Sequence, residues 1–205
     1  MSDTKSLVKA KKNYHHGDLR GQLLEAVREL VERKGPDGFS IAEACRLAGV
    51  STAAPYKHFT DRNDILRSAV LLAMERLYLA MKDAADAHSA GDPARVAALG
   101  QSYVDFARTE PGMFRIMFGM TDGQEDCPEL TRVGESCKLI VEQVAGDHMG
   151  VPPDHPMAVA WAYALWCFVH GHSFLQMDDK LAQKAPPEME ARMLHMVGEA
   201  MPNLS

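Results

Sequence analysis

Stretch after stretch of this chain places apolar residues three and four apart, the period of helices that bury one face. Leu19, Leu23, Ala26, Val27 and Leu30 form the first stripe; Asp18 opens it and Gly35, Pro36 and Gly38 end it. Ile41, Ala44, Cys45 and Ala48 form the second, on a short helix. Ser40 is its cap, because its hydroxyl can take up an orphan N–H of the opening turn, and Glu43 three residues later completes a capping-box pattern. Gly49 stands where the chain must turn sharply. A second short helix is predicted to be capped by Ser51, to carry Pro55 near the end of its first turn, and to close at Phe59. Asp61 then caps a long helix running from Arg62 to about residue 88, with Ile65, Leu66, Ala69, Leu72, Ala73, Leu77 and Met81 at helical spacing.

Gly91-Asp92-Pro93 breaks the pattern, and a helix over about 94–108 turns Val96, Leu99, Tyr103 and Phe106 inward. Glu110-Pro111-Gly112 breaks it again before the apolar piece Met113 to Phe118. A polar loop, 121–128, leads to a helix over about 129–149. Pro156 starts a helix reaching Met177 that is apolar nearly all round, which predicts burial on most faces. A last amphipathic helix runs from about Pro187 to Met201. The fold class is all-α.

Two short helices joined by a glycine turn describe a helix-turn-helix, whose second helix lies in the DNA major groove. Residues 14–76 resemble the DNA-binding domain of the TetR/AcrR family of bacterial transcriptional regulators. The residues that carry the resemblance are the Ala48-Gly49-Val50-Ser51 turn, the Tyr56-x-x-Phe59 pair, and Arg62 followed by Leu66. Trp166, His170 and Gly171 resemble the Trp-x-x-x-His-Gly element of one subgroup of that family, as does the start Tyr14-His15-His16-Gly17-Asp18-Leu19-Arg20. The resemblance implies a three-helix DNA-binding domain ahead of a long linking helix and a C-terminal helical domain. The expected divisions are a basic arm at 1–13, the helix-turn-helix domain at 14–62, and an effector-binding and dimerisation domain at 63–205. For the arm, with Lys5, Lys9, Lys11 and Lys12, contact with DNA and a loose tail both stand open.

Position within the motif assigns the DNA contacts. Thr52, Ala53 and Tyr56 are expected at bases or the adjacent backbone, and Lys57, His58 and Arg62 at phosphates. Ser40 and Ser51, at the helix N-termini, complete the DNA-facing set. One helix-turn-helix reads few base pairs, so a homodimer on a pseudo-palindromic double-stranded operator is expected, its last two long helices forming a four-helix bundle with their mates. The resemblance further implies a small-molecule effector in the C-terminal domain, largely apolar and aromatic. The candidate lining is Phe106, Met113, Phe114, Met117, Trp166 and His170, and the competing reading of these residues is plain core. Gly171 is expected to let another helix approach closely.

The net charge of −6 changes the picture only through its distribution. Residues 1–80 hold thirteen Lys and Arg against ten Asp and Glu, and residues 81–205 hold nine against eighteen. The half with the helix-turn-helix is therefore the basic half. Four cysteines, at 45, 127, 137 and 167, show no zinc spacing; Cys45, Cys137 and Cys167 read as packing residues, and Cys127 as the one to test for reactivity. His170 and His172 lie two apart, on different helix faces, with no carboxylate at ligand spacing. No phosphate loop or hydrolase motif occurs, so no enzyme, cofactor or metal is expected. The alternatives to a ligand-released repressor are a ligand-independent activator or DNA-architectural protein and, more remotely, a metal- or thiol-dependent enzyme. No stretch reads as a membrane span or secretory signal, which makes the cytoplasm the expected location.

Overall fold

The computed structural model describes residues 19–119, 127–178 and 184–204. The arm 1–13, the Tyr14 to Asp18 segment and residues 120–126, with most of the polar loop, lie outside them. Among the described residues the secondary structure is helical: α1 (Leu19–Lys34), α2 (Ile41–Ala48), a 3-10 turn (Pro55–Lys57), α3 (Arg62–Asp86), α4 (Pro93–Thr109), α5 (Pro111–Phe118), α6 (Pro128–Met149), α7 (Pro156–Met177) and α8 (Pro187–Glu199). This is the all-α architecture expected, a small N-terminal helical unit followed by a larger helical body.

Local chemistry explains where the elements begin and end. The Ser40 hydroxyl accepts from the Glu43 N–H at 3.2 Å, and the Glu43 carboxylate turns to Lys34 Nζ at 2.6 Å. Gly49 ends α2 at φ 71°, a left-handed conformation that a Cβ would strain. The Asp61 carboxylate caps α3 through the Asp64 N–H at 2.8 Å.

The second helix of the motif departs from expectation. Residues 51–54 form a turn, and only Pro55–Lys57 wind on, as a single 3-10 turn without a side-chain cap. Proline has no N–H to return to the Ser51 carbonyl, which instead takes the tighter bond from the Ala54 N–H at 3.0 Å. The Ala54 carbonyl likewise takes a short-range bond, from the Lys57 N–H at 3.3 Å, and an α-type bond appears where the Pro55 carbonyl accepts from both His58 and Phe59 N–H, each at 2.9 Å. Ser51 is therefore a turn residue, not a helix cap.

α3 joins the two parts. Its 25 residues span about 37 Å at 1.5 Å per residue. Its first turns bury Ile65, Ala69 and Val70 against α1, and its later turns bury Ala73, Leu77 and Met81 against α4 and α6. α4 sits at the centre of the body, packed on α3, α7 and α8.

α7 was expected to be buried on most faces, and it is not. Ala158, Ala162, Leu165, Val169, Ser173 and Met177 face α4 and α6, while Tyr163 (65% exposed), Cys167, Gly171 and Leu175 lie open. Two neighbours cannot cover an all-round apolar helix, so one stripe is left bare. Cys167, expected to pack, belongs to that stripe. Cys45 is fully buried, and burial pushes its thiol pKa up, in keeping with a packing role.

Candidate DNA-contacting surface and effector cavity

The helix-turn-helix presents a short exposed strip. Ser51, Thr52 and Ala53 in the turn, and Tyr56, Lys57 and His58 around the 3-10 turn, are all exposed, with Tyr56 at 62%. Pro55 and Phe59 point the other way and are buried, which fixes the strip from beneath. Arg20 of α1 lies over the Phe59 ring, 5.5 Å from its centroid. Ser40 is also exposed, with its hydroxyl engaged at the start of α2.

Arg62 does not join this strip. Its Nε donates to the Phe39 carbonyl at 3.3 Å, its Nη2 donates to the Pro36 carbonyl, and the guanidinium stacks 4.3 Å above the Phe39 ring. These contacts make a clamp between the α1–α2 connection and the first turn of α3, at the residue expected on a phosphate. Two of the three nitrogens of the fork, Nε and Nη2, are thus engaged by protein carbonyls.

The body holds a cavity of ≈ 660 Å³, within the size range of small-molecule sites. α3 supplies Met74, Leu77 and Met81; α4 supplies Leu99, Gly100 and Tyr103. α6 adds Cys137 and Val141, α7 adds Ala162, Leu165, Trp166 and Val169, and α8 adds Leu194 and Val197. Phe118 closes the end nearest α5. Gly100 is there for space: a Cβ would meet Leu194 Cδ2 at 2.8 Å.

Of the six candidate lining residues, one lies on the wall. Trp166 lines the cavity, 42% exposed at its mouth. Met113 and Phe114 are fully buried and Phe106 nearly so, which makes them core; Met117 is partly buried against that core. Sequence reading missed Met74, Leu77, Met81, Leu99 and Tyr103 as lining, because helical periodicity marks inward positions without saying which of them meet a void. His170 stands one contact behind the wall, its Nδ1 2.9 Å from the Tyr103 hydroxyl.

Trp166, Tyr103 and His170 form a directed chain. The Trp166 Nε1–H can only donate, and it reaches the Tyr103 oxygen at 3.3 Å. Burial pushes the Tyr103 hydroxyl pKa well up, so it keeps its proton and donates it to His170 Nδ1. Burial also lowers the His170 pKa, which favours a neutral ring with its proton on Nε2. Phe118 and Phe174 flank that ring at 4.8 and 4.9 Å between centroids. Beside this neutral chain the wall carries the Tyr163 hydroxyl and, on α6, Glu135 and a Lys138–Glu142 ion pair at 3.1 Å. Cys137, also on the wall, has its thiol pKa pushed up to about 11 by burial, which makes it a poor nucleophile.

α8 is held by a buried carboxylate. Glu190, 3% exposed, accepts from Gln101 Nε2 at 3.0 Å, Arg108 Nη2 at 2.8 Å and His172 Nε2 at 2.8 Å. Burial alone would raise its pKa, but the bonds from His172, Arg108 and Gln101 together hold it below the ordinary carboxyl value. Among the described residues no cluster of His, Cys, Asp and Glu could hold a metal, and no helix is long and apolar enough to cross a membrane.

Comparison with known proteins agrees with both parts. The family model "Bacterial regulatory proteins, tetR family" matches residues 23–69, and "Tetracyclin repressor-like, C-terminal domain" matches residues 96–199, half of the chain. The HTH-type transcriptional regulator BetI of Yersinia pestis (strain Pestoides F) is 28% identical over 115 residues, 56% of this chain and 58% of that protein. The chain therefore matches under two thirds of the length of such relatives. A solved protein of unknown function from Rhodococcus sp. RHA1 is 27% identical, with a TM-score of 0.78 over 93% of this chain and 99% of its own. A tetR-family transcriptional regulator from Streptomyces coelicolor shares the fold at 18% identity, with a TM-score of 0.68 over 90% of this chain and 78% of its own. With its helix-turn-helix unit and its helical body each matched by a model of the same family, the chain belongs to the TetR family of bacterial regulatory proteins.

Proposed function

We propose that this chain is a homodimeric repressor that binds a pseudo-palindromic operator and is released from it by a neutral, largely apolar small molecule held in the ≈ 660 Å³ cavity. The observation that carries this reading is the continuity of α3. The same rigid helix buries Ile65 and Ala69 in the DNA-binding unit and presents Met74, Leu77 and Met81 to the cavity. A ligand that spreads the cavity walls tilts α3, and in a dimer that tilt alters the spacing of the two DNA-contacting strips. Thr52, Ala53 and Tyr56 are assigned to bases or nearby backbone, and Lys57 and His58 to phosphates; all five are exposed on one strip. The domain division at residue 62 is part of this reading, as is a cytoplasmic location beside the operator.

The bare stripe of α7 supports dimerisation. Ala160, Ala164, Cys167 and Gly171 recur at spacings of four, three and four on its exposed face, flanked by the larger Tyr163 and Leu175. Small residues at that period admit a second helix closely, and a second copy of the chain is the occupant the family fold leads one to expect. The test begins with genomic fragments selected by the purified protein. Release of the selected operator is then titrated with neutral aromatic compounds, with Trp166 fluorescence reporting occupancy. Failure to enrich any sequence refutes the DNA reading. Occupancy without release refutes the coupling.

A further inference from the structure

α5 enters its first turn without a cap of its own. Pro111 has no N–H, and Glu110, at the cap position, makes no side-chain bond to the turn. The two backbone donors that follow are taken by another part of the molecule. Glu32 of α1 places one carboxylate oxygen 2.7 Å from the Gly112 N–H and the other 2.9 Å from the Met113 N–H. A carboxylate at a helix N-terminus also sits favourably in the field of the helix. Gly112 makes the approach possible: a Cβ there would fall 2.9 Å from Glu32 Oε2, 3.0 Å from the Val31 carbonyl oxygen and 3.1 Å from Glu32 Cα.

The far end of α5 reaches the cavity. Its last residue, Phe118, is part of the wall, and Phe114 one turn earlier packs on Phe118, Tyr103 and His170 at 4.8, 5.5 and 5.8 Å. α5 is thus a rod of eight residues, about 12 Å long, with one end held by the DNA-binding unit and the other against the aromatic wall. A second grip steadies the corner: Arg76 of α3 holds the buried Glu110 carboxylate through two bonds, at 3.0 and 2.6 Å.

We infer that Glu32 is a positioning residue that couples the two parts, its carboxylate tying the start of α5 to α1 so that a shift at either the operator-binding face or the cavity wall moves the other. The inference rests on the proposed operator binding, and it adds to α3 a second, hydrogen-bonded link between the parts. Because the link runs both ways, operator DNA alone must be felt in α5, with no effector present.

The experiment follows hydrogen exchange of the α5 amides from Phe114 to Phe118 in the full chain, free and saturated with selected operator. In the wild type, operator should slow these amides at least tenfold. Glu32→Ala should cut that ratio to under twofold while changing operator affinity by less than threefold. Glu32→Gln, which keeps an acceptor oxygen but no charge, should fall between. Gly112→Ala, which wedges the contact apart with Glu32 intact, should reproduce the loss. A purely structural Glu32 would speed exchange equally in both states and leave the operator-dependent ratio at its wild-type value, and that result overturns the inference. So does a wild-type protein whose operator protects the helix-turn-helix and leaves α5 unchanged. If no operator can be selected, the repressor reading fails first, and this inference falls with it.

Discussion

Replacing Arg62 with alanine separates two roles that its position in the sequence confuses. As a clamp, Arg62 contributes two charge-assisted bonds to the Pro36 and Phe39 carbonyls and a stacking contact on the Phe39 ring. Bonds to charged donors are worth roughly 1.5–3 kcal/mol each and an exposed cation–π contact about 0.5–1 kcal/mol. The residue is only part-buried, so one bond and the stacking contact count at their low ends, and the long bond, at 3.3 Å, adds no more than about 1 kcal/mol: about 2–3 kcal/mol for the side chain. For a chain of this size that is a fall of roughly 4–12 °C in Tm, read by thermal unfolding at fixed protein concentration. As a phosphate ligand, Arg62 would leave Tm nearly unchanged and lower the slope of log affinity against log salt by about 0.9. Between 50 and 200 mM salt that slope difference is about 3.5-fold in operator affinity, well within reach of fluorescence anisotropy. The clamp predicts the large Tm loss with an unchanged salt slope, and Arg62→Lys should recover little, because lysine has neither the fork nor the planar face. A variant with wild-type Tm and a slope smaller by about one would refute the clamp and return Arg62 to the DNA.

Lys57→Ala is expected to weaken binding to all sequences alike and to lower the salt slope by about one, measured in the same anisotropy titration. Tyr103→Phe strands both the Trp166 Nε1–H and the lone pair of His170 Nδ1; about 1–2 kcal/mol is expected, a Tm lower by roughly 2–8 °C, with operator affinity in the absence of ligand preserved. The Glu190 carboxyl has a folded pKa below its ordinary value of 4.5, so its stabilisation is present above that value and lost as pH falls through the folded one. Tm scans from pH 7 down to 3 should therefore show a wild-type advantage over Glu190→Gln of about 1–3 kcal/mol at neutral pH that shrinks below about pH 4.5. Gly171→Leu should shift the dimer toward monomer by at least tenfold in sedimentation without destabilising the monomer, since a Cβ there meets nothing within 4 Å in the single chain.

The helices were legible because each is written locally. Ser40 with Gly49 brackets α2, Asp61 caps α3, and the proline that opens each of α4 to α8 sits where a missing N–H costs nothing. The helix-turn-helix was legible through its glycine turn and its aromatic pair. The shortened second helix was the exception: Pro55 was visible, but its missing N–H, which leaves the Ser51 carbonyl to the Ala54 N–H, was read as the loss of one bond rather than of the first turn.

Tertiary structure decided what a linear pattern cannot hold. Arg62 reads as a phosphate ligand until the fold brings Pro36 and Phe39, more than twenty residues earlier, within reach of its guanidinium. Glu32 reads as a solvated helix residue until α5, eighty residues on, arrives with an uncapped end. Phe106, Met113 and Phe114 carry the same periodic mark as Leu99 and Tyr103, yet the first three fill space and the last two border a void. Periodicity records which side of a helix turns inward, because that follows from 3.6 residues per turn. Whether the inward side meets protein or empty volume depends on the relative placement of five other helices, and no single stretch of sequence contains that.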